Sequence, residues 1–307
     1  MKACVDIGGT KVAVSLSDGG MTLTARRSEP TAKTGAHDAL AEQVIRLVGD
    51  ACDEAGVAEA TIDSVGVSSC GPFVMNAGLV ELAAPNICGG LAGPERGLPN
   101  SWQTALLEAP LRARYPGVRV ENDCVAALVA ERRWGALQGL DHCAYVTWST
   151  GIGMGVCVDG HVLRGKNGNT GHGGHMFVSD DASGALCGCG NVGDVEGLVA
   201  GNAFERRFGR DAAALMAAAD SGDAHATAIV DEVCRVLGRA LYNVVILLDL
   251  QRISLGGSVF WHHRAMLLPR LQAQLDGHLP ALTQGVKLVP AGLGMQVGDY
   301  AALALVD

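Results

Sequence analysis

At 307 residues, 49% of them hydrophobic but only 4% aromatic, the chain is too long for one simple core; it predicts two lobes whose interiors are built from Ala, Val, Leu and Gly. A formal net charge of −9 argues against nucleic acid as the main partner, because phosphate backbones demand clustered Lys and Arg. No signal peptide precedes Met1-Lys2-Ala3, and the longest apolar run, near Val244 to Leu248, is far too short to span a bilayer, so the expectation is a soluble, cytoplasmic protein with no membrane partner.

In chain order, residues 3–7, 11–16 and 22–26 read as a β-meander with a glycine turn after the first strand. Residues 38–55 have helical spacing, with Leu40, Val44, Leu47, Val48 and Ala51 on one face. A strand at 64–67 runs into the small residues Ser68-Ser69-Cys70-Gly71-Pro72, and a strand at 118–120 ends in Glu121-Asn122-Asp123 ahead of a helix at 124–136. A strand at 143–148 enters Thr150-Gly151-Ile152-Gly153-Met154-Gly155, and a further apolar strand follows at 156–158. Residues 165–196 show neither period but are dense in Gly, His, Cys and Asp. A long helix at 224–250, a strand at 252–255 ending in Gly256-Gly257-Ser258, and a helix near 297–305 complete the chain. Strand, glycine turn and strand occur twice, near 3–16 and near 143–158, which points to two related lobes. The ten cysteines make no disulfide framework: Cys4, Cys124, Cys143, Cys157 and Cys234 sit singly in apolar segments, and only Cys187 and Cys189 are a close pair.

A strand repeatedly delivers a loop of glycines or hydroxyls, and ligand sites in α/β proteins gather at such strand ends. At Asp6-Ile7-Gly8-Gly9-Thr10-Lys11 a glycine hairpin exposes backbone N–H groups that can face a phosphate, although two glycines in a hairpin also serve simply as a turn. Asn122-Asp123 directly before a helix has two readings, a helix N-cap and a catalytic acid beside a hydroxyl-fixing amide. Gly151-Ile152-Gly153-Met154-Gly155 has the wrong spacing for a dinucleotide fingerprint, and a strand follows where a helix should open.

Taken together, these segments resemble the ROK family of sugar kinases and repressors, in order and over nearly the whole chain. Asp6–Lys11 resembles its first phosphate motif, Pro85-Asn86 its sugar-contacting Pro-Asn, Glu121-Asn122-Asp123 its Glu-Asn-Asp, and Ser149–Gly153 its second phosphate motif. Gly174-His175, Cys187-Gly188-Cys189-Gly190, Gly193 and Glu196 resemble its zinc and sugar segment, and Leu255-Gly256-Gly257 its adenosine-side motif. The resemblance implies an α/β, two-lobed actin-like (ribonuclease H-like) ATPase fold with an interlobe cleft. The smaller lobe would span 1–123 plus 290–307, and the larger 124–289. It implies an ATP-dependent kinase that phosphorylates a hydroxyl, O6 in the first instance, of a hexose or N-acylhexosamine such as glucose or N-acetylmannosamine.

In that assignment Asp123 is the general base, and Asn86, Asn122, Asp123, His172, His175 and Glu196 hold the sugar. Asp6, Gly8, Gly9, Thr10, Lys11, Thr150, Gly151, Gly153, Gly256 and Gly257 hold Mg²⁺ and ATP, with Asp6 acting on Mg²⁺ through water. The family also implies a homodimer or homotetramer. A ROK-type repressor would carry a DNA-binding domain ahead of the first phosphate strand, where this sequence begins; a sugar sensor without catalysis is the other alternative.

Two positions depart from the family. Asp194 stands where a third zinc cysteine is usual, so His175, Cys187, Cys189 and Asp194 would form the structural Zn²⁺ site, or the loop would be metal-free with two buried thiols. His172 stands where Glu is usual. A neutral imidazole offers one donor and one acceptor instead of several acceptor sites, which tilts the expected sugar toward an N-acylated or 2-epimeric hexose, unless His172 only lines its loop.

Overall fold

The computed structural model describes residues 1–89, 97–180 and 185–307. They divide into two compact units: Met1–Ala130, Arg164–Asn169 and Gly298–Asp307 form the first, and Glu131–Leu163 and Thr170–Val297 the second.

In the first unit, β1 (Lys2–Ile7) and β2 (Lys11–Ser17) form an antiparallel hairpin, closed where the Gly8 N–H donates to the Lys11 carbonyl at 2.8 Å. The third strand, β3 (Thr24–Pro30), runs four residues past the expected 22–26, because it is a mostly exposed edge strand with no apolar alternation to mark its end. Helix α1 (Ala39–Ala55) buries the predicted face, Leu40, Val44, Leu47, Val48 and Ala51, and stops at Gly56 in the left-handed region (φ 66°). β4 (Ser64–Ser69) lies parallel to β1.

β5 (Phe73–Asn76), β6 (Leu79–Leu82) and β7 (Ala105–Leu106) form a separate antiparallel sheet that the sequence pattern did not announce, since strands of two to four residues show no period. After α2 (Glu108–Arg114), β8 (Val118–Asn122) pairs parallel with β4, and α3 (Asp123–Trp134) follows without a break. Gly66 in β4 admits the C-terminal helix, Val297–Ala304: a Cβ there would lie 2.0 Å from the Ala302 carbonyl oxygen. Ala126 of α3 packs on Ala301 and Leu305.

In the second unit, β9 (Cys143–Trp148), β10 (Ile152–Val158) and β11 (His161–Val162) form an antiparallel run. β10 begins four residues before the expected strand at 156, so Gly153 and Gly155 are strand residues, opposite Thr147 and Tyr145. Cys143 and Cys157, free and buried as expected, face each other across the two strands. The segment without sequence periodicity contains a short helical turn at Gly173–His175 and leads into α4 (Val195–Val199). α5 (Gly201–Phe208), α6 (Ala212–Asp220) and α7 (Ala224–Leu248) come next, then β12 (Arg252–Gly256), α8 (Ser258–Asp276), α9 (Pro280–Thr283) and β13 (Lys287–Pro290). The core gathers Trp148, Phe204 and Phe260 under α7, and the Trp148 indole N–H is satisfied by the Val199 carbonyl at 2.7 Å.

The two five-stranded sheets repeat one plan. Their orders are β3-β2-β1-β4-β8 and β11-β10-β9-β12-β13, each with two antiparallel pairings followed by two parallel ones.

Candidate active site

In the first unit the parallel strands β1, β4 and β8 end on Ile7, Ser69 and Asn122 in register, and that edge collects the acidic groups. Burial first, then the neighbouring charge of Asp123, pushes the Asp6 carboxyl up to about 6, while Lys11 and Arg26 pull it down. Burial also raises Asp123, against hydrogen bonds from the Cys124 amide and from Asn122. Cys70, at the end of β4, feels both carboxylates, and burial plus their charges hold its thiol far above the usual range. Its place in the site was hidden in the sequence among small loop residues.

At Asn122-Asp123 the N-cap contacts are present. Asn122 Oδ1 accepts from the Cys124 N–H at 3.0 Å, an N-cap contact, and Asp123 Oδ1 accepts from the same N–H at 2.8 Å. Neither bond uses Asp123 Oδ2. The β1–β2 turn sits against Asn86: a Cβ on Gly9 would come within 2.9 Å of Asn86 Cβ and 3.1 Å of its Nδ2. Thr31 latches the turn from the other side, its hydroxyl donating to the Gly8 carbonyl at 2.7 Å and its N–H to Thr10 O at 3.1 Å. Thr10 and Lys11 are exposed. Asp6, Gly8, Gly9, Asn86, Asn122 and Asp123 thus belong to one unit.

In the second unit, Thr150 and Gly151 form the β9–β10 turn. Glu196 lies directly over it: its Oε2 accepts from the Ile152 N–H at 3.0 Å and stands 2.7 Å from where a Gly151 Cβ would be. The expected sugar residue Glu196 is therefore also the brace of the second glycine turn. Three glycines lay the next loop flat against β10. A Cβ on Gly171 would be 1.9 Å from the Met154 carbonyl oxygen, one on Gly173 2.5 Å from Met154 Sδ, and one on Gly174 2.2 Å from the Ile152 carbonyl oxygen. This close packing on β10 was not read from the sequence, although the Gly-His-Gly-Gly-His run of residues 171–175 is its visible signal. It holds His172 with its ring stacked on that of His175, centroids 6.0 Å apart. His172 Nε2 is buried and has no hydrogen-bond partner, and burial together with His175 lowers the imidazole's affinity for a proton. Gly256 and Gly257 pack on β9: Cβ atoms there would meet the Tyr145 hydroxyl at 2.5 Å and the Trp148 carbonyl oxygen at 2.4 Å.

His175, Cys187, Cys189 and Asp194 converge, each offering a ligand atom within 4.8 Å of the others. His175 Nδ1 is 3.3 Å from Asp194 Oδ2 and 3.7 Å from Cys187 Sγ, and Cys189 Sγ is 3.6 Å from Asp194 Oδ2. Tetrahedral bonds of about 2.0–2.3 Å set zinc ligands roughly 3.3–3.8 Å apart, so this donor set fits that ion. Asp194 is fully buried and divides its oxygens: Oδ1 caps α4 through the Gly197 N–H at 2.7 Å, leaving Oδ2 for the cluster. One carboxylate thus both faces the cluster and starts a helix.

Residues 2–307 match the ROK family. The glucokinase of Aeropyrum pernix is 27% identical over 98% of this chain and 95% of its own length. An N-acetylmannosamine kinase of Salmonella typhi is 34% identical over 83% of this chain and 82% of its own. The crystal structure of a ROK hexokinase from Thermus thermophilus matches 99% of this chain and 97% of its own, with a TM-score of 0.72 and 31% identity. Fold, repeated sheets and these likenesses define a carbohydrate kinase with the actin-like ATPase architecture. The chain belongs to the ROK family.

Proposed function

We propose that the protein transfers the γ-phosphate of ATP to a hexose or N-acylhexosamine hydroxyl, O6 in the first instance, with Asp123 as the general base. The half-buried carboxylates Asp6 and Asp123, at the ends of β1 and β8, carry this proposal, because desolvation raises both above the ordinary carboxylate value and so makes each a better proton acceptor. Asp123 accepts the hydroxyl proton as the sugar oxygen bonds to phosphorus and the bond to the ADP oxygen breaks. Asn122 and Asn86 fix neighbouring hydroxyls, and His172, His175 and Glu196 contact the sugar. Gly8, Gly9, Thr10 and Lys11, with Thr150, Gly151, Gly153, Gly256 and Gly257, serve the nucleotide. Mg²⁺, when bound, neutralises phosphate charge; Asp6 would hold it through water. A cytoplasmic homodimer or homotetramer belongs to the same proposal. Among the described residues no helix is long and apolar enough to cross a membrane.

ADP release with Mg-ATP over a panel of glucose, mannose, fructose, N-acetylglucosamine and N-acetylmannosamine tests the assignment. Turnover on one of them supports it; sugar binding without turnover on any overturns it in favour of a sensor.

The orphaned His172 Nε2 is the feature that points to sugar choice. His172→Glu exchanges an imidazole for a carboxylate, and an unpaired buried polar contact costs about 1–3 kcal/mol. The ratio of kcat/KM on N-acetylmannosamine to that on glucose is expected to move toward glucose by about tenfold or more. An unchanged ratio removes His172 from specificity.

The four-residue cluster is proposed as a structural Zn²⁺ site that pins the sugar loop. Elemental analysis is expected to find about one zinc per chain, lost in Cys187→Ser. A metal-free, fully active preparation would refute the site.

A further inference from the structure

Glu131 is the one completely buried Glu among the described residues, and its place in the second unit has no counterpart in the roles above. Its carboxylate collects four donors. Oε2 accepts from the Ser254 hydroxyl and from the backbone N–H groups of Ala136 and Gly292, each at 2.9 Å, and Oε1 accepts from the Leu293 N–H at 2.8 Å. Every partner donates, so the position suits a group that only accepts. The backbone is shaped to permit this. A Cβ on Gly292 would lie 2.4 Å from the Ala136 nitrogen, so only glycine lets the 292–293 turn close onto the end of α3.

That turn is a brace for two other pieces of backbone. The Ala291 N–H donates to the Leu255 carbonyl at 2.8 Å, directly before Gly256-Gly257 at the end of β12. One residue past the turn, Gly294 lies under the ring of Trp261, with a built Cβ 2.9 Å from Cζ2. Trp261 stands in the first turn of α8, its N–H bonded to the Gly257 carbonyl at 2.8 Å, and no side chain caps that helix. Glu131 therefore fixes, through Ser254 and the 292–294 turn, the strand end that the proposed function gives to the nucleotide and the helix start beside it.

We infer that Glu131 is a positioning residue for the nucleotide: it holds the Gly256-Gly257 end of β12 and the first turn of α8 in their binding shape without touching the ligand. This rests on the kinase assignment of Gly256 and Gly257. Glu131→Gln keeps the shape but replaces one acceptor oxygen with a donor. With its oxygen kept toward Ser254, Ala136 and Gly292, the amide nitrogen faces the Leu293 N–H and releases that end of the turn.

Folded Glu131→Gln is expected to raise the KM for ATP about tenfold while kcat and the KM for sugar stay within about twofold. Ser254→Ala, which removes only one donor, gives a smaller rise in the same parameter and serves if Glu131→Gln does not fold. Displacement of a fluorescent ATP analogue provides a readout independent of turnover. An ATP KM unchanged in a folded variant overturns the inference. So does a parallel rise in both KM values, or failure of both variants to fold, since Glu131 would then be only a determinant of the fold. Failure of the wild-type protein itself to bind the ATP analogue would instead overturn the nucleotide assignment beneath it.

Discussion

Asp123→Asn is expected to lower kcat on the accepted sugar by about 10²–10⁴-fold, the contribution of a positioned general base, and to leave sugar binding in place. The change is nearly isosteric, and an amide oxygen can still accept from the Cys124 N–H that now meets Oδ1 at 2.8 Å. Asn122 accepts from the same N–H, so the start of α3 is held twice. The variant is also expected to melt at a higher temperature. Burial raises the Asp123 carboxyl in the folded state above its unfolded value. Stability therefore falls as pH rises from the ordinary carboxylate value through the raised one, and the full penalty of the desolvated charge is present above the raised value. Asn carries no such penalty. Lost turnover with an increased Tm distinguishes a removed base from a damaged fold; lost turnover with a lowered Tm would argue for the N-cap role alone. In the wild-type protein kcat falls on acidification through the same raised range, because a protonated carboxyl cannot take the sugar proton.

Gly171→Ala is expected to cost about 2–4 kcal/mol and to abolish sugar binding. Two penalties combine. Gly171 has φ 92°, which L side chains rarely adopt, and its new Cβ would sit 1.9 Å from the Met154 carbonyl oxygen. The obstacle is strand backbone, so neither side can yield without breaking the bond from the Met154 N–H to the Gly171 carbonyl at 2.8 Å. Gly222 supplies the control: its φ is 93°, yet nothing lies within 4 Å of a built Cβ. Gly222→Ala should show the conformational cost alone, about 1 kcal/mol, with an unchanged sugar KM. Chemical denaturation and sugar titration of the two variants separate contact from strain. Equal effects at both positions would mean that the contact with β10 does not hold the loop.

Much of this fold could be read in the sequence where period or punctuation was strong. α1 and α7 bury long apolar faces, β1, β4, β9 and β12 are apolar runs ended by glycine or hydroxyl residues, and β8 is a short strand marked by the Glu121-Asn122-Asp123 that ends it. β3 escaped in part because an edge strand has little to bury, and the β5–β7 sheet because its strands are shorter than any period. β10 was read too short because glycines at 153 and 155 look like a loop, whereas they are opposite Thr147 and Tyr145 in the ladder. The metal-type cluster was visible by residue type, and its convergence in space is a tertiary fact. Glu131 could not have been found: a lone Glu in a helix ordinarily faces water, and its four donors come from residues as distant as Leu293.

The repeated sheet has a consequence for how this protein tolerates change. Both copies present a turn between their central strand and its antiparallel neighbour, but only β1 delivers an acid there; β9 delivers Ser149 and Thr150. At the first turn the ionisable groups carry a desolvation cost that works against folding, whereas the hydroxyls of the second turn are neutral and the acid over them, Glu196, is engaged by the Ile152 N–H. Removing charge at the first turn is therefore expected to gain stability at the expense of the proposed reaction, a trade that the hydroxyls of the second turn do not impose.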